Sequence, residues 1–440
     1  MAGIFKAYDI RGIYGKDLTD DVAHSIGRAF VTFAGCKKVV VARDIRPHSE
    51  PLFAALARGI TEQGADVVDI GHASTPMSYF ANGTLGADAS VMITASHNPA
   101  EWNGFKLCRA SATPISGVTG IMDIERIVRE GSFAPKASVP GTITTADVAA
   151  GYAAHVAKFA HLGRPVHIAI DFANGMGIWE ARTLEGLLTW DGLFEEPDGR
   201  FPNHEANPLN LETLEDLQAK VRGGTYAFGV AFDGDADRAG FVDEKGEVIS
   251  MDLITALIAQ DVLATRKGVV FYDLRSSWAV KEAIEAAGGT PMMSRVGHAF
   301  IKQQMREHDA LFAGELSGHY YFRDNFTSES SAMAVLAIAN IVSNSGKPLS
   351  ALIAPLRKYS ASGEINTHVS RDPKGILDEL RAGYADGRQF ELDGVSVEYA
   401  DWWFNVRCSN TEPLVRLNLE AKTKTLMEAK RDEVLAIIRK

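Results

Sequence analysis

Three stretches of the chain repeat one arrangement of apolar and polar positions. Each opens with a continuous run of β-branched and apolar residues ending in Asp: Lys37–Asp44 (KKVVVARD), Val166–Asp171 (VHIAID) and Gly268–Asp273 (GVVFYD). A helical stretch, further strands and a polar loop follow. In the first unit the second strand is expected near Ala65–Ile70 and the third at Ala89–Ala95 (ASVMITA), which feeds Ser96-His97-Asn98-Pro99. In the second, Tyr226–Phe232 (YAFGVAF) feeds Asp233–Arg238 (DGDADR). In the third, a strand near Pro291–Val296 and a short one at Asp309–Ala313 lead to Gly314–His319 (GELSGH). Helices are predicted over Glu50–Gln63, Leu211–Arg222, Trp278–Ala287 and Ser330–Ser343. Apolar runs alternating with helical periods argue for α/β layers, and in such sheets ligands sit beyond the carboxyl ends of the strands. The three loops are therefore expected to converge on one cleft.

The tail reads differently. A strand at Gly394–Glu398, a loop at Arg407–Thr411, a strand at Leu414–Ala421 and a helix at Lys424–Arg439 predict a small α+β domain. Turn formers cluster at Val139–Thr145, Asp243–Ser250 and Lys358–Gly363, which are taken as linkers. The resulting domains are 1–145, 146–247, 248–355 and 356–440.

A length of 440 residues accommodates this division. The net charge of −11 argues against a nucleic-acid partner, which requires a basic face, while leaving room for one locally basic pocket. The opening MAGIFKAYDIRG lacks the apolar core of a signal peptide, and no apolar run approaches the ~18 residues of a membrane span. Cys36, Cys108 and Cys408 are too scattered for a disulfide framework or zinc site. The expectation is a cytoplasmic protein without a membrane partner, in which the Asn-x-Thr triplets at Asn82 and Asn325 are chance matches.

Four strings carry candidate chemistry. Thr94–Lys106 (TASHNPAEWNGFK) places Ser96 on an exposed turn at a strand end, with His97, Asn103-Gly104 and Lys106 close behind. On Ser-His-Asn-Pro alone, a helix-capping turn is the better reading; the longer string favours a serine that carries a phosphoryl group. DGDADR sets Asp233, Asp235 and Asp237 at alternate positions, able to converge on one hard cation. An EF-hand is rejected, because Arg238 stands where that loop needs Gly and the flanks read as strands. GELSGH offers Glu315, Ser317 and His319 to sugar hydroxyls. RCSNT, with Arg416 downstream, offers an Arg fork and hydroxyl donors to a phosphate. Nucleotide motifs fail: Glu180 stands where the dinucleotide fingerprint after Gly175-Met176-Gly177 wants a third Gly, and nothing matches the P-loop pattern.

These strings, in this order, resemble the α-D-phosphohexomutase superfamily, over essentially the whole chain from Tyr8-Asp9-Ile10-Arg11-Gly12 to Arg416. The resemblance implies three similar α/β domains with mixed sheets and a smaller C-terminal α+β domain around a central cleft. It implies that Ser96 is the phosphoserine and that Asp233, Asp235 and Asp237 bind Mg²⁺ together with the phosphate on Ser96. GELSGH is similar to the form found in bacterial phosphomannomutase/phosphoglucomutase, whereas amino-sugar mutases usually carry Gln where this chain has Leu316. Arg407, Ser409, Asn410, Thr411 and Arg416 then form a distal phosphate dock. Tyr8, Lys281 and the run Arg295-Val296-Gly297-His298, with Gly297 and His298, contribute to substrate binding. Ala95 departs from the Gly of the closest mutases, and Cys408 sits unexplained inside the phosphate loop.

The expected reaction interconverts hexose 1- and 6-phosphates of mannose, glucose or both, through a hexose 1,6-bisphosphate that also serves as activator. Lys106 is the expected general acid/base, needing a lowered pKa, with Arg11 orienting it. His97 and Arg238 neutralise phosphate oxygens. The partners are small sugar phosphates, and the chain is expected as a monomer or homodimer. The alternatives are a phosphoglucosamine mutase of the same superfamily, a phosphoserine-dependent sugar phosphatase, and a non-catalytic sugar-phosphate sensor.

Overall fold

The computed structural model describes residues 3–408 and 414–440. The first sheet contains β1 (Ile10–Ile13), β2 (Lys38–Arg43), β3 (Asp66–His72), β4 (Ala89–Ile93), β5 (Trp102–Arg109), β6 (Thr113–Pro114) and β7 (Ile143–Thr145), in the order β1-β5-β4-β2-β3-β7 with β6 beside β5. Its helices are α1 (Asp20–Ala34), α2 (Ser49–Glu62), α3 (Thr75–Thr84) and α4 (Met122–Glu130). The second sheet contains β8 (His167–Asp171), β9 (Thr189–Leu193), β10 (Phe228–Phe232), β11 (Ala239–Asp243) and β12 (Val248–Ile249), with α5 (Ala149–Ala157), α6 (Gly177–Arg182) and α7 (Glu215–Gly223). The third contains β13 (Val269–Asp273), β14 (Thr290–Ser294), β15 (Phe312–Gly314), β16 (Tyr320–Phe322) and β17 (Ser328–Glu329). Its helices are α8 (Met251–Thr265), α9 (Trp278–Ala286), α10 (His298–Glu307), α11 (Ser331–Ser345) and α12 (Leu349–Ile353).

One strand order recurs in all three. The leading strand (β2, β8, β13) lies between two parallel neighbours, β3 and β4, β9 and β10, or β14 and β15. The last of these then turns back into an antiparallel partner, β5, β11 or β16. The turns of these three hairpins hold Ser96, the DGDADR string and the GELSGH string, so the expected equivalence of the loops has a topological basis. The last sheet, β18 (Ser360–His368), β19 (Arg388–Phe390), β20 (Val395–Glu398), β21 (Trp402–Cys408) and β22 (Leu414–Ala421), is antiparallel in the order β18-β22-β21-β20-β19 and packs with α13 (Pro373–Gly383) and α14 (Lys424–Ile438).

The continuous apolar runs are explained by burial of both strand faces. Val39, Val41, Val67, Val91 and Ile93 enter the core under α1 and α2. The alternate residues Val40, Ala42, Val68, Ile70 and Met92 enter a second core that continues through Ile168, Ile170, Val230, Ile254 and Leu336, joining the first three units. The tail has a core of its own around Leu380, Phe404, Leu417 and Val434. Among the described residues, no helix is long and apolar enough to cross a membrane.

Three linker expectations are corrected. Ile143–Thr145 is β7, an edge strand parallel to β3. The 243–250 stretch is a hairpin, with Gly246 at φ 76° turning the chain back into β12. Ser360–Gly363 belongs to β18, which pairs with β22. All three are short or polar edge segments, whose pairing is set by a neighbouring strand and not by their own periodicity. Helix limits also shift for local reasons. Ser330 is the N-cap of α11, its side chain accepting from Met333 N, and the helix runs on to Gly346, which stops it at φ 67°. Leu211–Leu214 forms a 3₁₀ turn ahead of α7.

Candidate active site

Ser96 follows β4 with φ 53°, in the left-handed region that non-glycine residues seldom adopt. The sequence reading of an exposed turn is corrected: Ser96 is wholly buried, because the second unit closes over it. Its Oγ donates to Asp233 Oδ2 at 2.9 Å and lies 3.2 Å from His97 Nδ1. Closure is tight enough that a Cβ on Gly234 would lie 2.3 Å from the Ser96 carbonyl oxygen. Arg11 braces the same loop, donating from Nη1 to Asn98 Oδ1 at 2.7 Å while its Nε pairs with Asp9 at 2.7 Å.

Asp233, Asp235 and Asp237 present oxygens within 4.8 Å of one another, and all three are buried. Lys106 Nζ bridges Asp235, at 2.6 Å, and Asp237. Thr75, not singled out from sequence, donates to Asp235 Oδ2 at 2.6 Å from the N-terminus of α3. Among the described residues, Oδ1 of Asp235 accepts no hydrogen bond. Burial, then the charges of Asp235 and Asp237, push the Asp233 carboxyl up to about 8. Three oxygen donors, an uncommitted carboxylate oxygen on Asp235 and mutual repulsion fit a small hard cation.

Lys106 departs from its expected state. Burial works against its charge, but Asp235 and Asp237 outweigh burial and hold its pKa above the ordinary lysine value. His97 is not the cation expected either. Burial, then Arg238 and Arg11, depress it well below the usual imidazole range, leaving a neutral ring beside Ser96 Oγ.

The third hairpin loop is tied to the second through His319. Its Nε2 stands 3.2 Å from Asp237 Oδ1 and 3.2 Å from Arg238 Nε, and its Nδ1 stands 3.1 Å from Glu315 Oε2 and 2.9 Å from Ser317 Oγ. Burial opposes the imidazolium, but Asp237 more than offsets it and the His319 pKa rises to about 9. Carboxylates on both ring nitrogens favour the charged ring over the contact with Arg238. Glu315 also accepts from Gly297 N at 3.1 Å and Tyr321 OH at 2.6 Å. Tyr8 donates to Val296 O at 3.1 Å, its ring 6.0 Å from that of His298. The hairpin loops of all three units thus meet, with Tyr8, Gly297 and His298 beside them.

Lys281 is not brought there. It stands on the exposed side of α9 with Glu285 at 3.9 Å. Nearby in sequence is Arg275, two residues after β13 and with its side chain 8% exposed, which binds Asp273 at 2.6 Å and approaches Glu364 of the last unit at 3.6 Å. Asp273 in turn accepts from Leu316 N, in the sugar-loop string, at 2.9 Å. The signal for Arg275 was present in sequence as a cation at a strand end. Arg407 lies within β21, not in a loop as expected, and donates to Glu364 Oε2 at 2.6 Å. Arg416 is its cross-strand partner on β22. The expected donors Ser409, Asn410 and Thr411 lie outside the described residues.

Comparison with known proteins places this geometry. Family models for the phosphoglucomutase/phosphomannomutase alpha/beta/alpha domains I, II and III match residues 2–135, 150–246 and 250–359, and the model for the C-terminal domain of the same family matches 364–437. A phosphomannomutase of Escherichia coli is 39% identical over 451 residues, covering 99% of both chains. One from Methanocaldococcus jannaschii is 40% identical over 446 residues, covering 99% of this chain and 98% of its own. The crystal structure of a phosphoglucomutase/phosphomannomutase family protein from Burkholderia thailandensis superposes with a TM-score of 0.91 at 34% identity, over 99% of this chain and 96% of that one. By sequence and by fold, across its four units, this chain belongs to the phosphoglucomutase/phosphomannomutase family of phosphoryl-transferring mutases.

Proposed function

We propose that the protein interconverts the 1- and 6-phosphates of mannose and glucose by passing a phosphoryl group through Ser96. The observation that carries this reading is the hydrogen bond from Ser96 Oγ to Asp233 within a cluster of three buried carboxylates. A hydroxyl set on a strained turn against a hard-cation site suits phosphoryl transfer, which is mostly positioning and charge stabilisation. Asp233, Asp235 and Asp237 would hold Mg²⁺, together with an oxygen of the phosphate on Ser96. When bound, Mg²⁺ supplies positive charge against that developing on the transferred group.

In the first half-reaction a free sugar hydroxyl oxygen bonds to phosphorus as the P–Oγ bond of phospho-Ser96 breaks. One proton passes from that hydroxyl to Ser96 Oγ, so the exchange balances. Lys106, kept as an ammonium, serves the acid side of this exchange; in the return step, when Ser96 Oγ attacks, neutral His97 at 3.2 Å accepts its proton. Arg238 and Arg11 face the charge on the phosphoryl group. The product, a hexose 1,6-bisphosphate, turns so that its other phosphate returns to Ser96 by the reverse step. Glu315, Ser317 and His319 grip sugar hydroxyls in either orientation, flanked by Tyr8, Gly297 and His298. Arg407, Arg416, Ser409, Asn410 and Thr411 take the distal phosphate, with Arg275 beside them, and Lys281 is left out of the substrate-binding residues.

Leu316 in the sugar loop and the curated phosphomannomutase relatives favour a neutral hexose. An N-acetylphosphoglucosamine mutase from Aspergillus fumigatus, solved with GlcNAc-6P and magnesium, shares the fold at 15% identity with a TM-score of 0.62. At that distance it supports the architecture alone. The test is a side-by-side assay of mannose 1-phosphate, glucose 1-phosphate and glucosamine 1-phosphate, with Mg²⁺ and a trace of hexose 1,6-bisphosphate. Conversion of the first two is expected. Preference for the amino sugar overturns the specificity, and release of phosphate without isomerisation overturns the mutase reading.

A further inference from the structure

We propose that Arg46 is the positioning residue of the nucleophile loop: its guanidinium holds the 96–102 backbone so that Ser96 Oγ faces the carboxylate cluster. This rests on the reading of Ser96 as the phosphoryl carrier. Arg46 follows β2, and its side chain is 0% exposed. A guanidinium has five N–H donors in a fixed planar fork, and all five are committed. Nη2 donates to Ser96 O at 2.9 Å and Asn98 O at 2.7 Å. Nη1 donates to Pro99 O at 2.6 Å and Trp102 O at 3.0 Å. Nε donates to Asp44 Oδ2 at 3.1 Å. Asp44 is itself fixed, its Oδ1 accepting from Arg46 N at 3.0 Å and Ser49 Oγ at 2.6 Å.

Four loop carbonyls thus converge on one buried cation. Without it, Ser96 O would carry the cost of a buried polar group without a partner, and Asn98 O and Trp102 O would lose a charged donor, while Pro99 O keeps its bond from Trp102 N at 3.0 Å. Arg46 also joins two units. The Phe201 ring of the second unit lies 5.0 Å from its guanidinium carbon. A Cβ on Gly199 would meet the Ile45 carbonyl oxygen at 2.4 Å, so the covering loop lies directly on the Arg46 backbone. The arginine therefore holds the Ser96 carbonyl, against which Gly234 also packs, while Asp233 accepts from the Ser96 hydroxyl. Being wholly buried and fully committed to backbone and Asp44, it acts through the loop and not on substrate. Lysine cannot replace it, because a compact ammonium has three donors and cannot span four carbonyls in one plane.

The experiment compares wild type, Arg46→Lys and Arg46→Met, with two readouts. In steady-state assays on mannose 1-phosphate and glucose 1-phosphate, Arg46→Lys is expected to lose about 100-fold in kcat, the scale of a misplaced reacting group, with KM within about threefold of wild type. In hydrogen exchange of the intact protein, residues 94–103 are expected to exchange faster in Arg46→Lys while the last three sheets keep wild-type protection. Near-wild-type kcat, a parallel rise in KM, or exchange that is unchanged or raised throughout the chain overturns the proposal. Should Arg46→Met fail to fold, Arg46→Lys decides. A wild-type protein that isomerises neither substrate would defeat the mutase reading, and the exchange comparison would still test the placement of the loop.

Discussion

Gly234 offers a sharp test of how the site is assembled. It is not in the left-handed region, so alanine brings no backbone strain of its own, and the effect of Gly234→Ala is steric. The added Cβ would stand 2.3 Å from the Ser96 carbonyl oxygen, whereas ordinary contact begins at 3.4 Å. The Ser96 turn, the metal loop or both must therefore give by about 1 Å. Neither moves freely: Arg46 holds the Ser96 carbonyl, and a Cβ on Gly175 would itself meet Gly234 O at 3.0 Å, so the β8 loop backs the metal loop. A misplacement of about 1 Å costs on the order of 100-fold in rate, or about 2.7 kcal/mol in the barrier. The distal phosphate contacts proposed for Arg407 and Arg275 lie on other elements. The expected result is a kcat about 100-fold below wild type, with KM for mannose 1-phosphate changed less than about threefold, measured by coupled steady-state assay alongside a melting curve showing a folded protein. A folded variant with kcat within about threefold of wild type would refute the reasoning.

Other substitutions separate binding from support. Lys281→Ala is expected to leave kcat and KM near wild type, whereas Arg275→Ala raises KM about 10- to 100-fold, the scale of a lost charge-assisted hydrogen bond; parallel kinetics on the two variants check this. Removing divalent metal with EDTA is expected to abolish isomerisation, and Mg²⁺ to restore it and raise the melting temperature; Asp237→Asn should lose both responses. Glu180 is wholly buried where three units meet, accepting from Ser74 Oγ, Tyr152 OH at 3.0 Å and Ala332 N at 3.2 Å. Burial, only partly offset by these donors, pushes its carboxyl up from 4.5 to about 7. Between those values the folded chain binds more protons than the unfolded one, so stability falls as pH rises through the window, by about 3 kcal/mol in all. Glu180→Gln stays neutral and is expected to lose that slope between pH 5 and 7, read from melting curves against wild type; parallel profiles would contradict it.

The chemistry was legible in sequence because it is local. Two of the hairpin turns carry their functional groups within about six consecutive residues and the first between Ser96 and Lys106, so strand, turn and side chains are read together. What was not legible depends on contacts between units. Ser96 reads as an exposed turn because the residues that bury it, Asp233 and Gly234, belong to the second sheet. Lys106 reads as a general acid/base of lowered pKa until Asp235 and Asp237 are seen to hold its proton. Arg46 and Thr75 look like ordinary residues at element ends, since the loop carbonyls and the carboxylate they serve come from elsewhere in the chain. Glu180, noted in sequence only for breaking a dinucleotide pattern, is a junction between units. Lys281 was expected beside the 295–298 string, but the helical period of α9 turns it outward, while Arg275, not singled out from sequence, is directed inward from the strand end.

The most direct test of the central claim is to incubate the protein with hexose 1,6-bisphosphate and Mg²⁺, locate the transferred phosphate by peptide mass spectrometry, and chase it with mannose 1-phosphate. Phosphate is expected on Ser96 alone, transferable to the sugar at a rate no slower than turnover, with Ser96→Ala neither labelled nor active. Isomerisation by Ser96→Ala at the wild-type rate, or a label on another residue that chases into product, would contradict it.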